Sequence, residues 1–147
     1  MPHNHEWQSR IKQVEREYMA MRQAADRFRR ATHDDPTILQ GNLQHGEIVE
    51  ASRKLEGTYL IRLFAEFETG ARQYWHEIRE TQPKTFDLLD GLAARRGIPV
   101  TQTANAQSVR DYRNALVHER EDTLETLPIA VARGYLCHFF SFLPSQW

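Results

Sequence analysis

The segment Arg113-Asn114-Ala115-Leu116-Val117-His118 sets a fixed cation, an amide and a titratable imidazole within about one and a half turns of a helix. Arginine offers a planar fork of donors that fits a phosphate. Histidine is the side chain whose ordinary pKa suits proton transfer near neutrality. Together they form a minimal kit for cleaving RNA without a metal, because RNA carries its own nucleophile. A base that takes the 2′-hydroxyl proton lets that oxygen attack the adjacent phosphorus, leaving a 2′,3′-cyclic phosphate and a 5′-hydroxyl end. His118 suits the base, or the acid on the leaving oxygen. Arg113 suits the charge that grows on the non-bridging oxygens. Asn114 is placed to orient His118 or to contact the phosphate, and Arg110 adds grip on the strand.

The spacing alone is cheap. Arg133 to His138 repeats it, and Arg27 to His33 matches with one residue more. The polar Asn114 directly after the Arg and the aliphatic pair Leu116-Val117 before the His distinguish the segment from these copies, and the helical wheel sharpens its reading. At 100° per residue, Val109, Tyr112 and Leu116 form one apolar stripe, and Arg110, Arg113, Asn114, Val117 and His118 occupy the adjoining face. Arg113 and His118 lie about 140° apart, so they flank a groove instead of stacking. Asn114 precedes His118 by one helical repeat and can hydrogen-bond to it.

Five helical segments must position this kit. Trp7, Ile11, Val14, Tyr18, Met21, Ala25 and Phe28 alternate in fours and threes, which predicts a helix with one apolar seam, stopped by Asp34-Asp35-Pro36. A connector over 37–46 leads to a second helix, from Gly46 or Glu47 to about Thr81, whose wide stripe is Leu60, Leu63, Phe64, Phe67, Ala71, Tyr74, Trp75 and Ile78. Gly57 is a candidate interruption. A short third helix over Thr85 to Arg96, anchored by Phe86, Leu89 and Leu92, ends at Gly97-Ile98-Pro99. The fourth, from about Ala104 to Arg120, carries the segment above. The fifth starts near Thr126, tolerates Pro128 in its first turn and ends at Pro144. No strand-like alternation appears. The expected fold is all-α, an up-and-down bundle of four or five helices forming one domain over 1–147. On the second helix Glu68 lies at the edge of the stripe, where it could orient an Arg or His. Glu56, nearer the centre, is the alternative, and either also fits a structural salt bridge.

Arg113-Asn114-Ala115-Leu116-Val117-His118 resembles the motif of the HEPN superfamily position by position. That motif is an Arg, a polar residue and a His a few positions on, carried late in a helical bundle. The helix end at Arg95 to Pro99 and the closing Phe142-Leu143-Pro144 also look like HEPN chains, so the resemblance covers about Glu47 to Pro144. It implies a metal-independent endoribonuclease with Arg113 and His118 as catalytic residues. Asn114, Arg110 and Glu68 would bind or orient the substrate. It implies a homodimer in which two motif helices share one cleft and the second His118 supplies the complementary proton transfer. Many members act in toxin–antitoxin, phage-defence or RNA-processing systems, so an antitoxin or other protein partner is expected. Others have lost catalysis and serve as interaction or scaffold modules. Members regulated through a Tyr two positions after the His differ from this chain, which has Arg120 there.

Composition narrows the classes further. The net charge is -1, so RNA binding would need a local patch. Arginine outnumbers lysine 16 to 3, which suits bidentate contacts, although a GC-rich coding sequence gives the same bias. Cys137 is the only cysteine, which excludes an intramolecular disulfide and the common Cys-rich zinc sites. His76-Glu77-Ile78-Arg79-Glu80 lacks the second His of a zinc-protease helix, and His3 and His5 read as a frayed tail. No metal or cofactor is expected, and there is no phosphate loop. The polar start Met1 to Glu6 lacks the apolar core of a signal peptide, and no run is long enough to span a membrane. A cytoplasmic protein is the expectation.

Overall fold

Periodicity decides the first element. Helix α1 spans Asn4–Asp34 and buries Trp7, Ile11 and Val14 of its seam. The structure, a computed structural model, describes residues 3–119 and 124–147. Helix α2 spans His45–Ile78, α3 Thr85–Arg96, α4 Val100–Val117 and α5 Ile129–Phe140, with a single 3-10 turn at Pro36–Ile38. Among the described residues there is no β-strand, and the fold is an all-α bundle. None of the described helices is long and apolar enough to cross a membrane.

Side-chain pairs give the directions. Trp7 Nε1 donates to Gln73 Oε1, Arg62 pairs with Glu17, and Thr32 bonds His45, so α1 and α2 are antiparallel. Leu116 on α4 meets Gly57, and Arg113 meets Phe64, so α4 is antiparallel to α2 as well. Arg133 reaches Glu15 at 3.3 Å, while Asn4 Nδ2 donates to the Phe140 carbonyl at 2.9 Å, which sets α5 antiparallel to α1. These three pairings give α1, α2, α4 and α5 an up-and-down arrangement, and α3 packs beside α2 and α4. One core cluster draws on all five helices, with Phe64, Phe67, Phe139 and Phe140 fully buried at its centre.

Both chain ends are tied together. Asn4 Nδ2 also lies within hydrogen-bond distance of the Leu143 and Pro144 carbonyls, so the two N–H groups of one buried amide are shared among three carbonyls at and just past the end of α5.

Several boundaries and burials differ from the sequence expectation. Helix α4 begins at Val100, because Pro99 serves as its N-cap and cannot continue a preceding helix. It ends at Val117, with His118 as the C-cap and Glu119 in the left-handed region at φ 55°. Arg120, the expected helix end, lies outside the described residues. Pro128 is the N-cap of α5, not part of its first turn, and α5 stops at Phe140. Gly57 does not interrupt α2, and its missing Cβ accommodates Leu116. Met21 and Phe28 are exposed although they continue the seam of α1, since α1 and α2 are each more than 30 residues long and outrun the shorter helices. Phe86 is exposed too, and Leu88 takes the buried place beside Leu89 and Leu92. The stop at Gly97 matches expectation, with φ 63° where only glycine is unstrained.

Candidate functional site

Helix α4 buries Ala106, Val109, Tyr112 and Ala115 in the bundle, where it packs against α2, α3 and α5. Arg113 sits at the edge of that face. Its guanidinium carbon lies 4.7 Å from the centre of the Phe64 ring, and its NH2 is 3.8 Å from Glu68 Oε2. Both side chains of this pair are about three-quarters buried, each 24 % exposed. The Nε of Arg113 is buried and has no hydrogen-bond partner among the described residues. The guanidinium is therefore held by an aromatic face and one carboxylate, with its plane restrained by packing.

Glu68 gathers more than Arg113. Thr85 Oγ1 donates to its Oε2, and Arg72 NH2 stands 3.9 Å from the same oxygen. Arg72 in turn donates to the Pro83 carbonyl at 2.7 Å and to Thr85 Oγ1 at 3.1 Å. One carboxylate thus links α2, the start of α3 and α4. The sequence reading placed Glu68 near an Arg or His, and the structure brings it to Arg113. It did not identify Arg72, Thr85 or Phe64. Arg72 follows Glu68 by four residues, the spacing at which helical ion pairs form, so its part was accessible. The Phe64 contact depends on how α2 and α4 cross, which no local pattern encodes.

Glu56, the alternative acid, has a different task. Its Oε1 accepts the Ile129 backbone N–H at 3.0 Å. Pro128 has no side-chain acceptor for the start of α5, so α2 supplies one.

The other motif residues are arranged separately. Arg110 stacks over the Phe86 ring at 5.0 Å, donates to Gln107 Oε1 at 2.8 Å and pairs with neighbouring Asp111. It does not join Glu68. Asn114 is half-buried and His118 is exposed. The His118 backbone N–H donates to the Asn114 carbonyl at 3.0 Å, and no described hydrogen bond joins the two side chains. Because the helix stops at Val117, His118 projects from a helix end. Val117 beside it is 51 % exposed.

Two grooves flank α4. One of about 530 Å³ is lined by Arg53, Glu56, Tyr112, Leu116 and Glu119. The other, about 470 Å³, runs past Ser108, Tyr112, Leu127 and Tyr135. Neither contains Arg113 or His118. Among the described residues no group of three or more His, Cys, Asp or Glu side chains is placed to hold a metal ion. The decoy spacing is separated by its surroundings, since Arg133 pairs with Glu15 while exposed His138 stacks on Phe142 at 5.7 Å.

Compared with protein-family models, with curated proteins and with solved structures, the chain finds no match. The HEPN resemblance therefore rests on Arg113 to His118 and the helical bundle that carries them.

Proposed function

We propose that the chain is a metal-independent endoribonuclease of the HEPN kind. The observation that supports this most is the pairing of Arg113 with Glu68 against Phe64, on the helix whose end presents His118 to solvent. A carboxylate that fixes an arginine lowers the reorganisation needed when charge develops on a phosphate. The pair and the exposed imidazole supply an oriented cation and a free proton carrier. In the reaction, His118 takes the 2′-hydroxyl proton, the 2′-oxygen bonds to phosphorus, and the 5′-oxygen leaves with a proton. A two-fold dimer provides that second proton from the partner's His118. Exposed Val117 gives such a pairing an apolar contact. The RNA target and the biological setting, as toxin or defence effector, belong to the same proposal.

A second reading has its own support. Arg113 is already engaged by Glu68 and Phe64, and the grooves beside α4 omit the motif residues. That arrangement suits a catalytically inactive helical interaction module in which Arg113 serves packing.

Incubating purified protein with mixed RNAs in EDTA separates the two. The enzyme leaves 2′,3′-cyclic ends and spares DNA, which lacks the 2′-hydroxyl. Intact RNA, from protein free of bound inhibitor, supports the interaction module. Light scattering at micromolar concentration should give twice the chain mass for the enzyme's dimer, and a strict monomer would count against it.

A further inference from the structure

The connector 79–84 folds back against the last turns of α2. Arg72 fixes it through the Pro83 carbonyl, and Trp75 Nε1 donates to Thr81 Oγ1 at 3.0 Å. Between helix and connector opens a pocket of about 430 Å³ lined by Arg72, Trp75, His76, Thr81, Gln82 and Lys84, with Pro83 at its edge. Two lining groups are fixed cations, a third is an imidazole, and no carboxylate lines it. Such a lining favours an anion, and an arginine fork beside a mobile ammonium is a common phosphate-binding pair.

The pocket connects to the motif helix through one atom. Arg72 NH2 and Arg113 NH2 approach the same Glu68 oxygen, at 3.9 and 3.8 Å. Arg72 shares α2 with Glu68 and Arg113 comes from α4, so two cations share one anion. A strand lying across them would meet positive charge at two successive points, which a single free anion would not need.

We propose that this pocket holds a backbone phosphate of an RNA strand, adjacent to the phosphate at Arg113, an assignment that rests on the ribonuclease reading above. Arg72 and Lys84 supply the charge, with Thr81 and Gln82 as neutral donors. Contacts of this kind position a strand without reading its sequence. A pocket of this kind would let a chain of net charge -1 grip RNA at one place.

Arg72 also holds the connector, so its removal would confound folding with binding. Lys84 and His76 are exposed, and neither side chain has a hydrogen bond or ion pair among those described above. The test uses the full chain, a fluorescent single-stranded RNA blocked by 2′-O-methyl groups, and anisotropy titrations over a range of salt. Lys84→Ala and the double variant with His76→Ala should weaken binding. For Lys84→Ala the slope of log affinity against log salt should fall by about 0.7, the value of one lost contact on a single strand. Wild-type protein that binds RNA while both variants bind it equally well at every salt concentration would overturn the pocket and leave the ribonuclease reading intact. If wild type binds no RNA, the phosphate assignment to a strand fails. A phosphate titration followed by NMR then separates the sources: shifts at His76 and Lys84 retain a free-anion pocket, and their absence removes it.

Discussion

The Glu68 carboxylate on α2 reaches to 3.8 Å from the Arg113 guanidinium on α4, which lies over the Phe64 ring. Arg113 is consequently part of the packing between two helices, and the wheel position that marks it as a flanking surface residue understates its burial. Arg113→Ala should cost about 1–2 kcal/mol, because it removes a cation–π contact and an ion pair together. An exposed arginine would cost within about 0.5 kcal/mol. Urea unfolding of wild type and variant gives the difference directly. Equal midpoints would show that the contact contributes nothing.

His118 should behave differently. It is exposed at the end of α4, so His118→Ala should leave stability within about 0.5 kcal/mol of wild type. A loss above 1 kcal/mol in the same urea series would mean that the imidazole packs against something.

The start of α5 depends on an acceptor brought from 73 residues away, since Glu56 accepts the Ile129 N–H. Glu56→Ala should cost about 1 kcal/mol, the usual worth of a lost helix-start acceptor. Glu56→Gln keeps an oxygen there and should recover most of it. RNA cleavage should survive both changes, whereas Glu68→Gln should reduce it by loosening Arg113. Equal losses of cleavage from Glu56→Gln and Glu68→Gln would erase the distinction between the two acids.

Gly70 separates helix propensity from packing. Alanine is better than glycine inside a helix by about 1 kcal/mol. Yet a Cβ on Gly70 would fall 2.8 Å from Trp7 Cδ2 and 2.9 Å from Phe140 Cζ, both rigid rings in the core. Overpacking costs about 1–3 kcal/mol and should win, so Gly70→Ala lowers the thermal midpoint. Gly134→Ala meets nothing within 4 Å and should raise it. A rise for both would show that the Trp7 and Phe140 rings yield easily.

Burial raises the pKa of the Cys137 thiol, with smaller and opposing contributions from nearby charges. A raised pKa means less thiolate at a given pH, so alkylation by iodoacetamide near neutrality should be much slower in the folded chain than in urea. The gap should narrow as pH rises and the folded thiol ionises. Equal rates near neutrality would indicate that the last helix opens readily.

The all-α class and the third helix were legible because their signals are local. Thr85 to Arg96 is bounded by Pro83 before it and Gly97 after it, and both act on the backbone at their own positions. The first half of α1 was legible for the same reason. Its second half was not, because whether Met21 and Phe28 are buried depends on where α5 begins and α4 ends. In the site, Glu68 beside Arg113 could be anticipated from stripe edges, which approximate which faces meet. The separate engagements of Arg110 with Phe86 and of Glu56 with Ile129 could not. Each joins residues distant in sequence through the particular crossing of two helices. The end of α4 at Val117 is a further case. No glycine or proline marks it, and the turn falls on Glu119 in a left-handed conformation that its sequence does not advertise.

The most direct measurement is cleavage of one RNA in EDTA by four proteins matched for fold by circular dichroism: wild type, Arg113→Lys, His118→Ala and His138→Ala. Wild type and His138→Ala should cleave alike and leave 2′,3′-cyclic ends. His118→Ala should be slower by about 100-fold or more, the usual worth of a general acid or base. Arg113→Lys should also lose most activity, because an ammonium keeps the charge but not the fork. Cleavage that persists undiminished in His118→Ala would contradict the assignment of the imidazole, and a wild type that leaves the RNA whole would contradict the enzyme.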